Sequence, residues 1–222
     1  MKEFFKKIGR GIVKGGIIIY SKLLYGVKVY GKENIPNEGA LIFCGNHRNY
    51  LDAQLIVTSA TRHIRFMSKD ELRKNPAFRF LGVVFEAIYV KRDSKDITAL
   101  KESIKTLKSG GCVGIFPEGT SNGFEKNDGQ IKNGAAYLAL KTGAKIVPIG
   151  LIGPAKIFSK NAIVYGKPLD LSKYEGKKLS KEEEEIVSNI LKEEIIKLSK
   201  LTIEEAKLLN SKNSVEGKDD NW

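Results

Sequence analysis

The sequence contains few of the residues that would build a disulfide framework, a zinc site or a membrane-spanning helix. Only two of its 222 residues are cysteines, Cys44 and Cys112, and both lie in apolar runs without C-x-x-C spacing. This usage disfavours disulfides and structural zinc and is typical of a reducing, cytoplasmic setting. The longest stretch without a charged residue has ten residues, 146–155, whereas a membrane-spanning helix needs about 20 apolar residues. The sequence therefore predicts no membrane-spanning segment.

Acidic residues are too few to balance the basic ones. The chain has 38 Lys and Arg against 26 Asp and Glu, a net charge of +12, and 41% of its residues are hydrophobic, enough for one globular domain. The first 32 residues contain eight basic residues and one acidic residue. Such a surplus suits an anionic membrane surface or a nucleic acid. Because no zinc-finger, RRM-type or helix-turn-helix pattern is present, we do not expect nucleic acid as a partner.

A helical periodicity near the N-terminus favours the membrane surface. At about 100° per residue, four basic side chains fall on one side of a helix and six apolar ones lie in an arc on the other: Lys6, Lys7, Arg10 and Lys14 against Phe4, Phe5, Ile8, Ile12, Ile19 and Leu23. Such a helix lies in the headgroup region, with its apolar face in the acyl chains and its basic side chains against anionic lipid. We therefore predict that residues 1–30 are an amphipathic, basic membrane-association segment. The alternative is an ordinary surface helix that packs on its own domain.

The rest of the chain has the pattern of strands covered by helices. Short β-branched runs alternate with longer polar–apolar stretches, which predicts the α/β class. The expected strands are 41–45, 64–67, 87–91, 112–116, 145–150 and 162–165. The expected helices are 51–60, 97–108, 131–141 with Gly143 as its C-cap, and one from a capping box at Ser180 to about residue 209. Residues 210–222 are expected to form a polar tail.

One of the two histidines directly follows the first expected strand, in the motif Asn46-His47-x4-Asp52. Ligands of open α/β sheets usually bind at the carboxyl ends of strands. If His47 lies in the turn and Asp52 in the first turn of the next helix, the carboxylate can accept the imidazole N–H. His47 would then be a general base that Asp52 orients. The alternatives are a histidine bonded at a strand end and an aspartate that caps a helix.

A second motif, Phe116-Pro117-Glu118-Gly119-Thr120-Ser121, follows another apolar strand. Pro and Gly on either side of one carboxylate predict a rigid turn that presents Glu118. The turn would also free backbone N–H groups to hold a hydroxylated or anionic ligand. The alternative is a structural turn with an exposed glutamate.

The two motifs, about 70 residues apart, resemble the glycerolipid acyltransferase family of the 1-acyl-sn-glycerol-3-phosphate acyltransferase type. The resemblance runs from about residue 30 to 170 and includes Lys69-Asp70-Glu71-Leu72, Pro76, Gly82, Val90-Lys91-Arg92 and Ile146-Val147-Pro148-Ile149. It implies an acyltransferase domain over residues 31–209, with a single mixed sheet flanked by helices as in glycerol-3-phosphate acyltransferases. It also implies acyl transfer from acyl-CoA or acyl carrier protein to the sn-2 hydroxyl of 1-acylglycerol 3-phosphate, giving phosphatidate. The expected location is the cytoplasmic face of the cell membrane, and no metal or organic cofactor is implied.

The resemblance also implies roles for individual residues. His47 would be the general base and Asp52 its orienter. Lys69 and Arg92 correspond to positions that bind the acceptor phosphate, unless they are solvated surface charges. The turn residues Glu118, Gly119, Thr120 and Ser121 would contact substrate, with backbone N–H groups around Gly119 facing the tetrahedral oxyanion.

One position departs from the family pattern. An Arg usually follows Phe-Pro-Glu-Gly-Thr and contributes to the acceptor phosphate, but this chain has Ser121. Lys126, Lys132 or Arg48 are candidates for the missing charge; alternatively the acceptor is glycerol 3-phosphate or a lyso-aminolipid. A catalytically inactive membrane-binding scaffold is disfavoured because His47 and Asp52 are both retained.

Overall fold

The chain forms one seven-stranded mixed sheet. The computed structural model describes residues 2–91, 97–119, 132–174 and 180–209, with the backbone alone for residues 2–7. The strands are β1 (Val27–Tyr30), β2 (Leu41–Gly45), β3 (Ile64–Lys69), β4 (Ile88–Val90), β5 (Cys112–Ile115), β6 (Lys145–Ile152) and β7 (Asn161–Tyr165). Their order is β1-β7-β6-β2-β5-β3-β4. Neighbouring strands are parallel except β6 and β7, which are antiparallel.

Helices cover both faces of this sheet. They are α1 (Lys2–Tyr25), α2 (Asp52–Ser59), α3 (Pro76–Val84), α4 (Ile97–Lys108), α5 (Gly134–Thr142) and α6 (Lys181–Ser199). The first three pack on one face and the last three on the other. The alternation of side chains along β2 divides the core in the same way: Leu41 and Phe43 lie in the first cluster, Ile42 and Cys44 in the second. The predicted α/β class and single mixed sheet are confirmed.

Most predicted elements are present, but β1 and α3 were not predicted. Strand β1 has four residues, and it pairs with β7, which lies far along the chain. The start of α3 did have a local signal: Pro76 is its first residue, and the Asn75 side chain accepts hydrogen bonds from Ala77 N and Phe78 N. The Gly143 C-cap is confirmed, since Gly143 is left-handed and its N–H donates to Ala139 O.

The C-terminal segment contains two helical stretches, so the prediction of one helix to residue 209 is wrong. The capping box at Ser180 is present, but α6 ends at Ser199 and residues 203–209 form a separate helical stretch. A second pair of capping bonds starts it: Thr202 N donates to Glu205 Oε2 at 2.7 Å, and Glu205 N donates to Thr202 Oγ1 at 3.2 Å.

The N-terminal helix α1 packs against α2 and α3, and two of its basic side chains, Arg10 and Lys14, face the protein. Arg10 Nε donates to Val84 O at 3.0 Å and its guanidinium pairs with Glu86 at 2.8 Å, while Lys14 Nζ donates to Ala60 O at 2.8 Å. The expectation that Arg10 and Lys14 lie against lipid is therefore wrong. Four residues of the predicted apolar arc are exposed instead: Ile8, Ile12, Ile19 and Leu23. Within the described residues, every helix is too short or too polar to cross a bilayer.

Candidate active site

The sequence motifs converge at the carboxyl edge of the sheet. Strands β2, β5 and β3 are adjacent and parallel, so the segments that follow them emerge at the same edge. The loop after β2 carries His47 and Asp52, the turn after β5 carries Glu118, and Lys69 is the last residue of β3. The topology thus brings together residues that are well separated along the chain.

His47 and Asp52 are in direct contact, as expected. His47 Nδ1 lies 3.1 Å from Asp52 Oδ2, because Asp52 is the first residue of α2 and the loop folds back over it. A carboxylate only accepts hydrogen bonds, so Nδ1 carries a proton, and in a neutral imidazole Nε2 then has the free lone pair. Within the described part of the chain, Nε2 has no hydrogen-bond partner. This is the tautomer that a general base requires.

Asp52 is fully buried yet held in its ionised form. Its Oδ2 also accepts the backbone N–H groups of Arg48 and Asn49, at 2.5 and 2.7 Å. The Arg48 guanidinium donates to Oδ1 through Nε and Nη2, at 3.2 and 3.0 Å. Burial raises the pKa of Asp52, but the hydrogen bond from His47, the Arg48 charge and the two backbone N–H groups together bring that pKa below its ordinary value.

Two contacts from the turn after β5 hold the backbone and the ring of His47 in place. The His47 backbone N–H donates to Glu118 Oε1 at 3.0 Å, and Glu118 is buried. The imidazole stacks on the Phe116 ring, with centroids 4.0 Å apart and planes 6° from parallel. The predicted turn is present, but its glutamate faces inward and holds the histidine. A turn with an exposed glutamate, the alternative reading of this motif, is excluded.

Asn46 and Arg48 anchor the loop after β2 to the end of β6, a role that was not predicted from the sequence. The Asn46 amide exchanges two hydrogen bonds with Leu151, donating to its O at 3.1 Å and accepting from its N at 2.7 Å. Arg48 Nη1 donates to Ile152 O at 2.8 Å and Gly153 O at 2.9 Å. The sequence did offer one indication of this role, since both residues are direct neighbours of His47. The Arg48 guanidinium is thus bonded to Asp52 and to these carbonyls, which disfavours it as the source of the charge that Ser121 lacks relative to the family pattern.

The Gly119 N–H is also engaged. Gly119 has φ +68° and its N–H donates to Phe116 O at 3.0 Å, which closes the turn. An oxyanion at this N–H would have to displace that bond. Lys132 lies across the same turn: its N donates to Pro117 O at 2.9 Å, and its Nζ is 3.2 Å from the place of a Cβ on Gly119.

A cavity of about 380 Å³ opens beside His47. Its walls are mostly apolar and come from β3, α3, α4 and α5, including Phe66, Met67, Phe78, Leu81, Ala99, Leu100, Ala135 and Leu138. Lys69, Gly119 and Lys132 also line it. Four residues named from the sequence, Arg92, Thr120, Ser121 and Lys126, lie outside the described residues.

Comparisons with known proteins identify the family of the chain. Residues 26–152 match the family model described as Acyltransferase. The chain is 31% identical over 196 residues to a 1-acyl-sn-glycerol-3-phosphate acyltransferase of Borreliella burgdorferi, which covers 84% of this chain and 77% of that protein. It is 33% identical over 153 residues to the protein of the same name from Bacillus subtilis, covering 65% and 74%.

The fold is also that of a solved structure. The crystal structure of the 1-acyl-sn-glycerophosphate (LPA) acyltransferase PlsC from Thermotoga maritima superposes with a TM-score of 0.67 and 24% identity. The match covers 91% of this chain and 84% of that one. With the family model matched over more than half of the sequence, the chain belongs to the acyltransferase family and is an acyltransferase of lipid metabolism.

Proposed function

We propose that this acyltransferase transfers a fatty acyl group from an acyl thioester, on coenzyme A or acyl carrier protein, to the sn-2 hydroxyl of 1-acylglycerol 3-phosphate. The product is phosphatidate. The observation that carries the proposal is the imidazole of His47, bonded through Nδ1 to buried Asp52 and open through Nε2 at an apolar cavity. The names of the relatives from Borreliella burgdorferi and Bacillus subtilis support the choice of acceptor.

The geometry suits direct attack without a covalent enzyme intermediate. His47 Nε2 accepts the hydroxyl proton while the acceptor oxygen attacks the thioester carbonyl carbon. The C–S bond of the tetrahedral intermediate then breaks, and the leaving thiolate takes the proton from His47. An ester and a free thiol result, and the imidazole returns to its neutral form. Asp52 stays ionised throughout and stabilises the imidazolium that forms in between.

Two lysines of the cavity are our candidates for the acceptor phosphate. Lys69 ends β3 and Lys132 lies over Gly119, and both line the cavity that holds His47. Lys132 would supply the charge that Ser121 lacks relative to the family pattern. A flexible ammonium binds a phosphate as a point charge, whereas the usual Arg binds it through two parallel N–H groups. We keep Arg92 as a third candidate on the sequence pattern alone.

The acyl chain would lie in the apolar part of the cavity. The walls from α3, α4 and α5 offer mainly hydrocarbon surface, and burial of each CH₂ stabilises a bound chain by about 0.8 kcal/mol. The lipid acceptor implies work at a membrane, and the exposed apolar residues of α1, among them Ile12 and Leu23, support attachment of that helix to the bilayer surface. We place the protein at the cytoplasmic face of the cell membrane, as a peripheral or monotopic enzyme that needs no metal or organic cofactor.

Thiol release tests the proposed reaction. The protein would be mixed with liposomes containing lysophosphatidate and a long-chain acyl-CoA or acyl carrier protein, and the free thiol measured over time. His47→Ala should lower the rate by about 10²-fold or more, because the general base is lost. His63→Ala is the matched control: it removes the other histidine, which pairs with Glu86 beside α1. Equal rates for wild type and His47→Ala with both carriers would overturn the proposal.

An acceptor panel decides between lysophosphatidate and the alternatives that Ser121 leaves open. Lysophosphatidate, glycerol 3-phosphate and a lyso-aminolipid would be compared with the wild type and with Lys132→Met. For lysophosphatidate we expect the variant to raise KM by about tenfold with a smaller change in kcat, since a phosphate contact is lost. Lys145→Met is the control, because Lys145 is an exposed lysine at the amino end of β6, away from the site. A wild type that prefers the lyso-aminolipid would refute the phosphate assignment, and a preference for glycerol 3-phosphate would make that compound the acceptor in place of lysophosphatidate.

A further inference from the structure

The connection between β6 and β7 presents two apolar side chains to solvent. Ile157 is 51% exposed and Phe158 is 85% exposed. They stand side by side in residues 153–160, whose sequence is Gly-Pro-Ala-Lys-Ile-Phe-Ser-Lys. Apolar side chains that stay in water do not contribute the free energy of burial. Two adjacent exposed apolar residues therefore indicate a binding surface more strongly than a single one does.

Hydrogen bonds to the main-chain carbonyls of Leu24 and Tyr25 attach this connection to the C-terminal end of α1. Phe158 N donates to Leu24 O at 2.6 Å, and Asn161 Nδ2 donates to Tyr25 O at 2.7 Å. Leu23, the neighbour of Leu24, is 71% exposed. The apolar pair therefore lies beside the C-terminal end of α1, the helix that we propose to lie on the membrane.

Phe158 and nearby Ala155 have a backbone conformation that is unfavourable for residues with a Cβ. Phe158 has φ +57° and Ala155 has φ +51°. Residues with a Cβ adopt this region rarely, at a cost that surrounding contacts must offset. Hydrogen bonds within the protein hold this conformation: Phe158 N donates to Leu24 O, and Ala155 N donates to Asn161 Oδ1 at 2.8 Å. The connection therefore keeps the Phe158 side chain outward, where it is 85% exposed.

The charges around the pair are of one sign. Lys156 and Lys160 flank it and are exposed, and Lys22 is exposed beside Leu23. Residues 153–160 contain no acidic residue. An apolar tip among lysines complements the anionic surface of a bilayer, where the rings enter the acyl boundary and the ammonium groups remain among the headgroups.

We infer that Ile157 and Phe158 form a second membrane contact, which inserts into an anionic lipid surface beside α1. The inference rests on the proposed function, since a lipid acceptor brings the enzyme to the bilayer. The same connection is bonded to the catalytic loop: Arg48 Nη1 donates to Gly153 O at 2.9 Å, and Asn49 Nδ2 donates to Ala155 O at 3.3 Å. Insertion of Phe158 into the bilayer therefore fixes the distance between His47 and the lipid headgroups.

Site-specific labelling tests the contact directly. Because Cys44 and Cys112 are buried, Phe158→Cys gives one accessible thiol for a polarity-sensitive fluorophore. We expect its emission to shift to shorter wavelength when vesicles of equal parts phosphatidylglycerol and phosphatidylcholine are added, and to shift little with phosphatidylcholine alone. Ile186→Cys on α6 is the control, an exposed apolar position on the opposite face of the sheet, and its emission should not change.

Vesicle sedimentation of the full chain gives a second readout. The double variant Ile157→Ser, Phe158→Ser should lower the partition coefficient by about tenfold, since two apolar side chains no longer enter the lipid. The matched double variant Ile186→Ser, Ile190→Ser on α6 should partition like the wild type. Unchanged partition of the first variant, or unchanged emission at position 158 while the protein sediments, would overturn the inference. So would an emission shift that appears on concentrating the protein without lipid, which would indicate a second copy of the chain as the occupant.

The outcomes separate this inference from the proposed function. Thiol release by the wild type together with an unresponsive label at position 158 removes the second membrane contact and leaves the acyl transfer in place. A label at position 158 that responds to vesicles in a protein that releases no thiol supports the membrane contact and removes the proposed acyl transfer.

Discussion

The backbone N–H of His47 donates to Oε1 of Glu118 at 3.0 Å, although 71 residues separate the two along the chain. This bond joins the loop after β2 to the turn after β5 at the point where the proposed base is presented. The side chain of Glu118 is buried, so we assign it a positioning role through the main chain of His47, in place of the direct substrate contact that the sequence pattern implied.

Substitution of Glu118 should separate this positioning role from a charge effect. Glu118→Gln keeps a carbonyl oxygen for the His47 N–H, so we expect a loss of activity of less than about tenfold. Glu118→Ala leaves that buried N–H without its acceptor and should lower both kcat and the free energy of unfolding, the latter by about 1 to 3 kcal/mol. Steady-state kinetics and guanidinium unfolding measure the two effects. Equal losses for Gln and Ala would contradict a role through the hydrogen bond.

Asp52→Asn should lower the rate of acyl transfer by about 10²- to 10⁴-fold. The amide cannot stabilise the imidazolium as a carboxylate does, and it can turn its NH₂ group towards Nδ1, which would select the wrong tautomer. The effect should fall mainly on kcat, because Asp52 is fully buried behind His47 and does not reach the cavity. A variant with a raised KM and unchanged kcat would place Asp52 in substrate binding instead.

The same residue predicts a dependence of stability on pH. Because the pKa of Asp52 is lowered on folding, the unfolded chain takes up this proton at a higher pH than the folded chain. Its contribution to stability is complete above about pH 5 and is lost as the pH falls through the folded pKa. The free energy of unfolding should therefore drop more on acidification in the wild type than in Asp52→Asn. Guanidinium unfolding at about pH 7 and about pH 3.5 gives this difference; parallel losses would show that Asp52 is not held ionised.

Gly150→Ala should destabilise the protein by about 1 to 3 kcal/mol. Gly150 lies in β6 under α6, and a Cβ there would overlap the backbone carbonyl group of Leu198. Neither main chain can give way without moving the helix from the sheet. Gly16→Ala is the control: Gly16 lies inside α1 with open space around it, so the change should stabilise by about 0.5 to 1 kcal/mol. Thermal or guanidinium unfolding of both variants measures the contrast, and a stable Gly150→Ala protein would refute this close packing.

The two cysteines should be unreactive in the native protein. Cys44 and Cys112 are 0% and 2% exposed, and burial raises the pKa of both thiols. A thiol reagent should therefore titrate neither before unfolding and both in guanidinium. Rapid reaction of the native protein would show that the strands β2 and β5, which carry them, open to solvent.

The alternation of short apolar runs and longer amphipathic stretches was enough to predict the α/β class, the strand at 41–45 and the helix at 97–108. Those signals are local, because a few consecutive residues determine the period of a strand or helix and the cap of a helix. The contact of His47 with Asp52 was predictable for the same reason, because five residues of one loop determine it. Strand β1 carries only a short signal, Val-Lys-Val-Tyr between Gly26 and Gly31, and its pairing with β7 is what makes it part of the sheet.

The orientation of α1 and the uses of Glu118 and Arg48 depend on neighbours that are far along the chain. Periodicity predicted two sides of α1, but only contact with Val84, Glu86 and Ala60 determines that Arg10 and Lys14 face the protein. Glu118 faces His47 because β2 and β5 are adjacent in the sheet, and Arg48 is occupied because β6 brings the carbonyls of Ile152 and Gly153 beside it. Local sequence determines which residues can form an element or carry a proton, while the strand order determines which of them meet, because hydrogen bonds and ion pairs require contact within a few ångströms.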